Sequence, residues 1–371
     1  MASIQKRGST YQYTISRMVN GKPKPIRKGG FRTKKEAKIA ASEIEAQLQK
    51  GIIPHLKPVP IDEYFDNWVK LYKSNLSITT QLHYEYTSNA IKAHFGSKAL
   101  QEIKRHDYQL FLNEFGSNKS KETVEKLNAH IRACVKDAVE EQIIHHDFTR
   151  KAVITWTTPN KKPTEKHLNF IESKILFKRI LGELNRNKGL NYSLLLLGLT
   201  SGMRFAEMVG LTRRDFNFSD KTITINKTWG YMKRNPKGFG PTKNEQSNRI
   251  IKMDSLTMDH FKSLFDSSPS NPYDLVFYSP NSKYKVISNT AANKLLKKIL
   301  IALEIDPITM HGLRHTHASV LLYKKVSIYY VSERLGHSDI DTTLKEYTHV
   351  IKELREEDEI GTVSTFEKMV V

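Results

Sequence analysis

Apolar side chains recur along the chain with two different periods, and these periods divide the sequence into parts. In residues 1–55, "YQYTISRMV" alternates as a strand does, and Asn20 with Gly21 predicts a tight turn into a second strand at "KPIRKGGF". The following segment has a helical period and opens with Thr33 and Glu36, which have the spacing of a capping box. This part is therefore predicted to form two or three strands and one helix.

Residues 60–156 show helical spacing throughout. Four amphipathic helices are predicted, in "IDEYFDNWVKLY", "TTQLHYEYTSNAIKAHFG", "RHDYQLFLNEFG" and "KETVEKLNAHIRACVKDAVEEQII". The first of these helices carries a stripe of large side chains, which we interpret as core rather than as a platform for stacking bases. The stripe consists of Tyr64, Phe65, Trp68, Leu71 and Tyr72.

Residues 168–350 mix both periods, and the polar, proline-containing stretch at 157–167 has the composition of a linker. Helices are predicted in "ESKILFKRILGEL", "YSLLLLGLTSG", "AANKLLKKILIAL", "HTHASVLLYK" and "SIYYVSERLG". Strands are predicted in "KTITINKTW" and "SNRIIKM", on either side of a stretch rich in Gly, Pro and Lys. The predicted fold class is multidomain α+β: a small sheet with a helix, an all-helical domain, and a mainly α domain with a small β-sheet.

The charge of the chain points to a class of partner. The sequence has 59 Lys and Arg against 39 Asp and Glu, a net charge of +20, which favours nucleic acid over a merely soluble basic protein. Residues 1–55 hold 12 basic and 3 acidic side chains in a unit too small to bury much. We interpret this unit as an arm that contacts DNA, and its predicted DNA-binding residues are Lys22, Lys24, Arg27, Lys28 and Arg32.

Several functional classes are disfavoured by composition. A single cysteine, Cys134, excludes internal disulfides and cysteine-based zinc sites, and its setting predicts a buried residue. The longest apolar run, at 194–199, is far shorter than the ~18 residues that span a bilayer, and the N-terminus lacks a secretory signal. We expect a cytoplasmic protein with no membrane partner. The acidic tail, residues 351–371, would either dock on another subunit, fold back over a basic surface or remain solvated.

The stretch "HGLRHTHAS" at 311–319 concentrates candidate chemistry. His311 and His315 are four residues apart and would share a helical face, as zinc-binding histidines do. Arg314 stands between them, and a fixed cation is a poor neighbour for a divalent metal. His311 and Arg314, three apart, would also share a face and could bind a phosphate.

Three other segments carry residues suited to phosphate chemistry. Arg204 follows a Ser-Gly break and opens a helix that carries Glu207. Lys243 lies in a predicted hairpin, where Lys233 and Lys237 are alternatives, and His337 precedes Tyr347 by ten residues.

Together these motifs resemble the tyrosine recombinase family, the integrases of temperate phages and conjugative elements. The family pattern is an Arg after a small-residue break, a hairpin Lys, His-x-x-Arg, a further His or Trp, and then a Tyr. The six residues that match it in order are Arg204, Lys243, His311, Arg314, His337 and Tyr347. The match covers the last ~200 residues, whereas the first two parts resemble arm-binding and core-binding DNA domains by architecture only.

The resemblance implies a mechanism that needs no cofactor and no metal. Tyr347 would attack a DNA phosphodiester and form a 3′-phosphotyrosyl bond, while Arg204 and Arg314 would hold the non-bridging oxygens bidentately. His311 would be the base or proton shuttle, Lys243 would protonate the leaving 5′ oxygen and His337 would donate a hydrogen bond to the phosphate. Glu207 would orient Arg204 rather than react.

The resemblance also implies partners. These are double-stranded DNA at core and arm attachment sites, three further copies of the chain in a homotetramer, and accessory proteins such as a host bending protein and an excision factor. Two other classes remain open: a catalytically silent DNA-binding or regulatory protein on the same scaffold, and a histidine-liganded metalloenzyme. Within the family, the three-part layout favours an integrase of a mobile element over a chromosome-dimer recombinase or a viral type IB topoisomerase.

Overall fold

A computed structural model describes residues 2–19, 22–49, 58–159, 167–186, 189–231 and 237–344, together with Tyr347, Glu359 and Glu367. The chain falls into two compact units, Met1–Asn160 and Lys161–Val371. The Asn20 and Gly21 turn, Lys233 and most of the predicted linker and tail lie outside the described residues, as does the side chain of Lys22.

The N-terminal part of the first unit is an antiparallel sheet with one helix. Its three-stranded sheet has the order β1-β2-β5, and α1 packs on it through Ala37 and Ala41, both buried. The Thr33 hydroxyl accepts a hydrogen bond from the amide of Glu36, as the capping box predicts, but the Glu36 carboxylate reaches back to the amide of Arg32. The elements are β1 (Ser3–Arg7), β2 (Thr10–Ile15), β3 (Met18–Val19), β4 (Lys22–Pro23), β5 (Ile26–Phe31) and α1 (Lys34–Gln49).

The rest of the first unit is helical, as predicted. Phe65 and Trp68 are buried in its core, where the Trp68 indole donates a hydrogen bond to Asp137 over 2.6 Å. The predicted core stripe is wrong at Leu71 and Tyr72, which are 71% and 52% exposed, because the last turn of the helix faces solvent. The helices are α2 (Ile61–Tyr72), α3 (Ile78–Phe95), α4 (Arg105–Gly116) and α5 (Lys121–Glu140), and Cys134 on α5 is buried as expected.

The second unit is built around a helix that is buried on every side. This helix, α7, holds the run 194–197, whose leucines are fully buried beneath α6, α10 and α11. The helices are α6 (Phe170–Leu184), α7 (Leu190–Ser201), α8 (Phe205–Val209), α9 (Ser255–Ser267), α10 (Asn289–Ala302), α11 (Met310–Tyr323) and α12 (Ile328–Leu335).

Two small sheets complete the second unit. One is antiparallel with the order β10-β7-β6, and the other pairs β8 with β9. The strands are β6 (Phe216–Asn217), β7 (Thr222–Ile225), β8 (Thr228–Trp229), β9 (Phe239–Gly240) and β10 (Arg249–Lys252). The predicted multidomain α+β class is confirmed, although the pattern did not locate β1, β4, β6, β9 or α9. Within the described residues, no helix combines the length and the apolar character needed to cross a membrane.

Candidate active site

The six motif residues all lie in the second unit, on segments that meet near the start of α11. Arg204 is the N-cap residue of α8, and His311 and Arg314 lie on the first turn and a half of α11. His337 follows the glycine that ends α12, and Lys243 lies between β9 and β10. Tyr347 is helical and almost completely buried.

A glycine turn brings the two arginines together. Gly202 ends α7 in the left-handed conformation (φ 67°), and a Cβ there would lie 2.6 Å from the His317 ring. Only glycine fits this position without strain, because L side chains avoid this conformation and the space is filled. The turn lets the carbonyl of Gly202 accept a hydrogen bond from Nη1 of Arg314 over 2.9 Å and starts α8 at Arg204.

The guanidinium of Arg204 is fixed by three protein groups. Its Nη1 donates to the Glu207 carboxylate over 2.8 Å and to the hydroxyl of Ser247 over 3.1 Å. Its Nη2 donates to the carbonyl of Gly336 over 3.1 Å, which ties α8 to the end of α12. Arg204 therefore has a defined position before any ligand arrives, which is the preorganisation that electrostatic catalysis requires.

Glu207 is a buried carboxylate shared by two arginines. Besides Arg204, it accepts a hydrogen bond over 2.9 Å from Nη2 of Arg249 on β10. Burial alone would raise the pKa of Glu207, but Arg249 and Arg204 outweigh burial and lower it, so the group is ionised. Its predicted role of orienting Arg204 fits these contacts.

Arg314 is buried and only partly satisfied. Its exposed fraction is 3%, and its Nη2 has no hydrogen-bond partner among the described residues. Burial, followed by the nearby charge of Arg204, lowers the pKa of Arg314 to about 9, so it stays cationic at neutral pH. A buried cation with an unused donor is costly unless an anion binds to it, so this side chain is suited to receive a phosphate oxygen.

His337 is oriented by a neighbour that sequence reasoning did not single out. Its Nδ1 lies 2.7 Å from the hydroxyl of Thr343, a fully buried residue. Burial and then the charges of Arg314 and Arg204 lower the pKa of His337 to about 4, which keeps the ring neutral. If Nδ1 accepts the Thr343 proton, Nε2 carries the ring hydrogen and can donate to a ligand.

Lys243 and His311 are the solvent-exposed members of the cluster that also contains Arg204, Arg314 and His337. Both side chains are exposed to solvent, and the charge of Lys243 acts on both His311 and His337. Although the His311 ring remains accessible, the surrounding protein partly desolvates it, and this effect together with the charge of Arg314 lowers its pKa.

The three histidines of 311–319 differ in their surroundings. The rings of His311 and His315 meet edge to face with centroids 4.7 Å apart, which confirms that they share a face of α11. Nδ1 of His315 lies 2.9 Å from the hydroxyl of Tyr347. His317 is buried, lies 2.9 Å from the carbonyl of Leu199 and accepts a hydrogen bond from Arg334, so it is scaffolding.

The described residues include no group of three or more His, Cys, Asp or Glu side chains that could hold a metal ion. Of the predicted DNA-binding residues, Lys24, Arg27, Lys28 and Arg32 are exposed. Four contributors to the site were not predicted: Arg249, Ser247, Thr343 and His315. The contacts of Arg249 with Glu207, of Ser247 with Arg204 and of His315 with Tyr347 join residues 32 to 43 positions apart, so local spacing could not have revealed them.

The second unit is mainly helical and brings Arg204, Arg314, His337 and the buried Tyr347 into one site. This combination of fold and residues is typical of tyrosine recombinases. Three family models match the chain in order: an arm DNA-binding domain over residues 3–48, an N-terminal SAM-like domain of phage integrases over 61–116, and the phage integrase family over 175–353. The chain belongs to the phage integrase family of tyrosine recombinases and is of the arm-binding type.

Individual relatives are similar in sequence to this chain, and two solved structures of recombinases are similar in fold. The integrase of Staphylococcus phage L54a is 26% identical over 343 residues, which cover 85% of this chain and 96% of the relative. A XerC-like tyrosine recombinase of Caldanaerobacter subterraneus is 27% identical over 91% of each chain. The fold is similar to that of the Tn1549 transposon integrase in complex with transposon right end DNA (TM-score 0.66, 16% identity, 80% of this chain and 99% of that one). It is also similar to that of XerH bound to its palindromic difH substrate (TM-score 0.55, 18% identity, 76% and 80%).

Proposed function

We propose that this site-specific recombinase integrates and excises a phage genome or another mobile element by cutting and rejoining DNA through a 3′-phosphotyrosyl intermediate at Tyr347. The observation that carries the proposal is Arg314, a buried cation whose Nη2 has no hydrogen-bond partner among the described residues and which lies near the fixed guanidinium of Arg204. Two such groups can hold both non-bridging oxygens of a phosphodiester as negative charge accumulates in the transition state.

The remaining roles follow from the chemistry of the reaction. Nε2 of His337 donates to a phosphate oxygen in the tautomer whose Nδ1 accepts the hydroxyl proton of Thr343. Lys243 protonates the leaving 5′ oxygen, and its exposure on the segment between β9 and β10 lets it reach a strand bound over the site. His311 is the base or proton shuttle. Glu207 positions Arg204 through the 2.8 Å ion pair and does not react.

Different parts of the chain bind different DNA sites. Residues 1–55 bind arm sites through Lys22, Lys24, Arg27, Lys28 and Arg32, and residues 60–156 bind the core site together with the catalytic domain, 168–350. Double-stranded DNA organises four copies into a homotetramer that passes through a Holliday junction. A host bending protein and an excision factor set the direction of the reaction. The acidic tail, 351–371, exchanges between subunits, and the protein works in the cytoplasm on the bacterial nucleoid.

The test of the chemical step is covalent trapping. A nicked suicide duplex of the core site loses its short 5′ product after cleavage, so the protein stays attached to DNA. We expect a complex resistant to SDS with the wild type and with Tyr329→Phe, an exposed tyrosine of α12 that serves as the matched control. Tyr347→Phe should form none. Binding without any adduct in the wild type would favour the catalytically silent DNA-binding protein instead.

Three further experiments test the rest of the proposal. EDTA should leave cleavage intact, whereas a histidine-liganded metalloenzyme would lose it. Footprints with and without residues 1–55 should show arm sites that are lost on truncation and core sites that are kept. Deleting residues 351–371 should impair tetramer assembly, and unchanged synapsis would rule out exchange of the tail.

A further inference from the structure

The nucleophile proposed above has a hydrogen-bond partner that the family pattern does not assign. The hydroxyl of Tyr347 lies 2.9 Å from Nδ1 of His315, and the two ring centroids are 5.8 Å apart. Tyr347 is 1% exposed, so the phenol meets its partner in a site largely shielded from water. The phenol also lies close enough to Arg314 to act electrostatically on that cation.

We infer that His315 is a catalytic residue of DNA cleavage, which holds the phenol of Tyr347 and accepts its proton as the tyrosine oxygen attacks phosphorus. This inference rests on the proposed function and refines it. The motif assigns the base or shuttle to His311, but the described partner of the phenol is the histidine four residues further along α11. A general base must lie within hydrogen-bond reach of the proton it removes, and His315 meets this requirement.

The proton balance of the step is complete. Neutral His315 carries its ring hydrogen on Nε2 and offers the Nδ1 lone pair to the phenol. The O–H bond of Tyr347 breaks, its proton moves to Nδ1, and the oxygen forms a bond to phosphorus. The bond from phosphorus to the 5′ oxygen breaks, and that oxygen takes a proton from Nζ of Lys243. Rejoining reverses both transfers, so the enzyme returns to its starting state with no other reactant.

His311 has a supporting place in this arrangement. Its ring lies edge to face with that of His315, at 4.7 Å between centroids, on the side of α11 that also carries Arg314. Charge that develops on His315 during attack is felt by this neighbouring ring, which is exposed to solvent. The two histidines would then share the function that the motif gives to one.

The decisive variant is His315→Asn. The amide oxygen of asparagine lies close to the position of Nδ1 and can still accept a hydrogen bond from the phenol, but it is not basic. We expect single-turnover cleavage of the suicide duplex to fall by about 10²–10⁴-fold, the usual contribution of a general base. DNA binding, measured by gel shift, should be unchanged. His260→Gln is the matched control, since His260 also lies in this unit and makes a 2.9 Å contact with one hydroxyl, that of Ser193.

A change in the nucleophile separates proton transfer from positioning. Replacing Tyr347 by 3,5-difluorotyrosine gives a more acidic phenol that depends less on a base. It should recover most of the rate that His315→Asn loses. A 5′-bridging phosphorothiolate substrate, whose leaving group needs no proton, should rescue Lys243→Ala and leave the His315→Asn defect in place.

The inference is overturned by wild-type cleavage in His315→Asn, or by a defect that the fluorinated tyrosine does not relieve. If the melting temperature shows that His315→Asn does not fold, His315→Ala carries the test, since added imidazole should restore cleavage only if the missing group is a base. Failure of the proposed function is distinguishable, because in that case the wild type itself forms no adduct at Tyr347.

Discussion

Replacing Glu207 by Gln tests how Arg204, the proposed phosphate-binding arginine, is held in place. The substitution keeps the size of the side chain but removes a buried negative charge that pairs with Arg204 at 2.8 Å and with Arg249 at 2.9 Å. One amide oxygen can still accept a hydrogen bond from one arginine. The amide nitrogen then faces the guanidinium of the other arginine, and because both groups are hydrogen-bond donors they cannot pair.

The magnitude follows from the burial of the three groups. Removing one partner of a buried ion pair costs ~3–5 kcal/mol, because the remaining charge stays buried. Arg249 is 6% exposed and cannot recover water, whereas Arg204 is 22% exposed and can do so in part. We therefore expect the free energy of unfolding to fall by ~3 kcal/mol, the lower end of that range.

The same change should slow cleavage. A hydrogen bond to a charged group is worth ~1.5–3 kcal/mol, and a tenfold change in rate corresponds to ~1.4 kcal/mol. Arg204 keeps its contacts with Ser247 and Gly336, so we expect single-turnover cleavage to fall by roughly 10- to 100-fold and not to vanish.

Chemical denaturation and the suicide-duplex assay measure the two effects. The control is Asp274→Asn, which removes the half-buried partner of the exposed Arg214 at 3.6 Å and should cost less than ~1 kcal/mol. The lowered pKa of Glu207 adds a pH signature: its stabilisation is present above the ordinary value of 4.5 and is lost as the pH falls below it, so the variant and the wild type should converge there. Equal stability of Glu207→Gln and wild type at pH 7 would refute this reasoning.

Three further predictions follow from the same site. Arg314→Lys should reduce cleavage by ~10²–10³-fold with DNA binding retained, because an ammonium cannot replace the planar fork; near-normal cleavage would contradict a bidentate role. Thr343→Val should slow cleavage by roughly 3- to 10-fold by releasing His337, and an unchanged rate would show that the 2.7 Å contact does not orient the ring. Burial and the charge of Arg334 lower the pKa of His317 to about 3. Below pH ~6.5 this histidine is therefore protonated in the unfolded chain but stays neutral in the folded chain, which lowers the stability of the fold. Denaturation curves should therefore show stability falling from pH 6.5 to 5, and a flat profile would contradict this assignment.

Much of the architecture could be predicted because it depends on local periodicity. Helices α2 to α5 repeat an apolar stripe every three or four residues, and their observed ends lie within a few residues of the predicted ones. Leu71 and Tyr72 show where periodicity alone fails to predict burial. A stripe records which side chains share a face, but whether a partner covers the last turn depends on the neighbouring helices.

In the site, the types of residue could be predicted from the sequence, but their contacts could not. The family pattern pointed to Arg204 and Arg314 because a phosphate needs cationic, planar donors, and such residues stand out in sequence. The contacts of Arg249 and His315 arise only when α8, β10 and α11 are assembled, so their spacing in the sequence carries no signal. Within "HGLRHTHAS", the histidine count alone could not separate His315, which meets Tyr347, from His317, which meets Arg334.

The most direct test of the account is to identify the amino acid that becomes attached to DNA. The wild-type protein, trapped on the suicide duplex, is digested with protease and nuclease and analysed by mass spectrometry. We expect a nucleotide linked through its 3′ phosphate to the peptide that contains Tyr347. A nucleotide on another residue, such as Tyr329 or Tyr330, or a trapped complex with no covalent link, would contradict it.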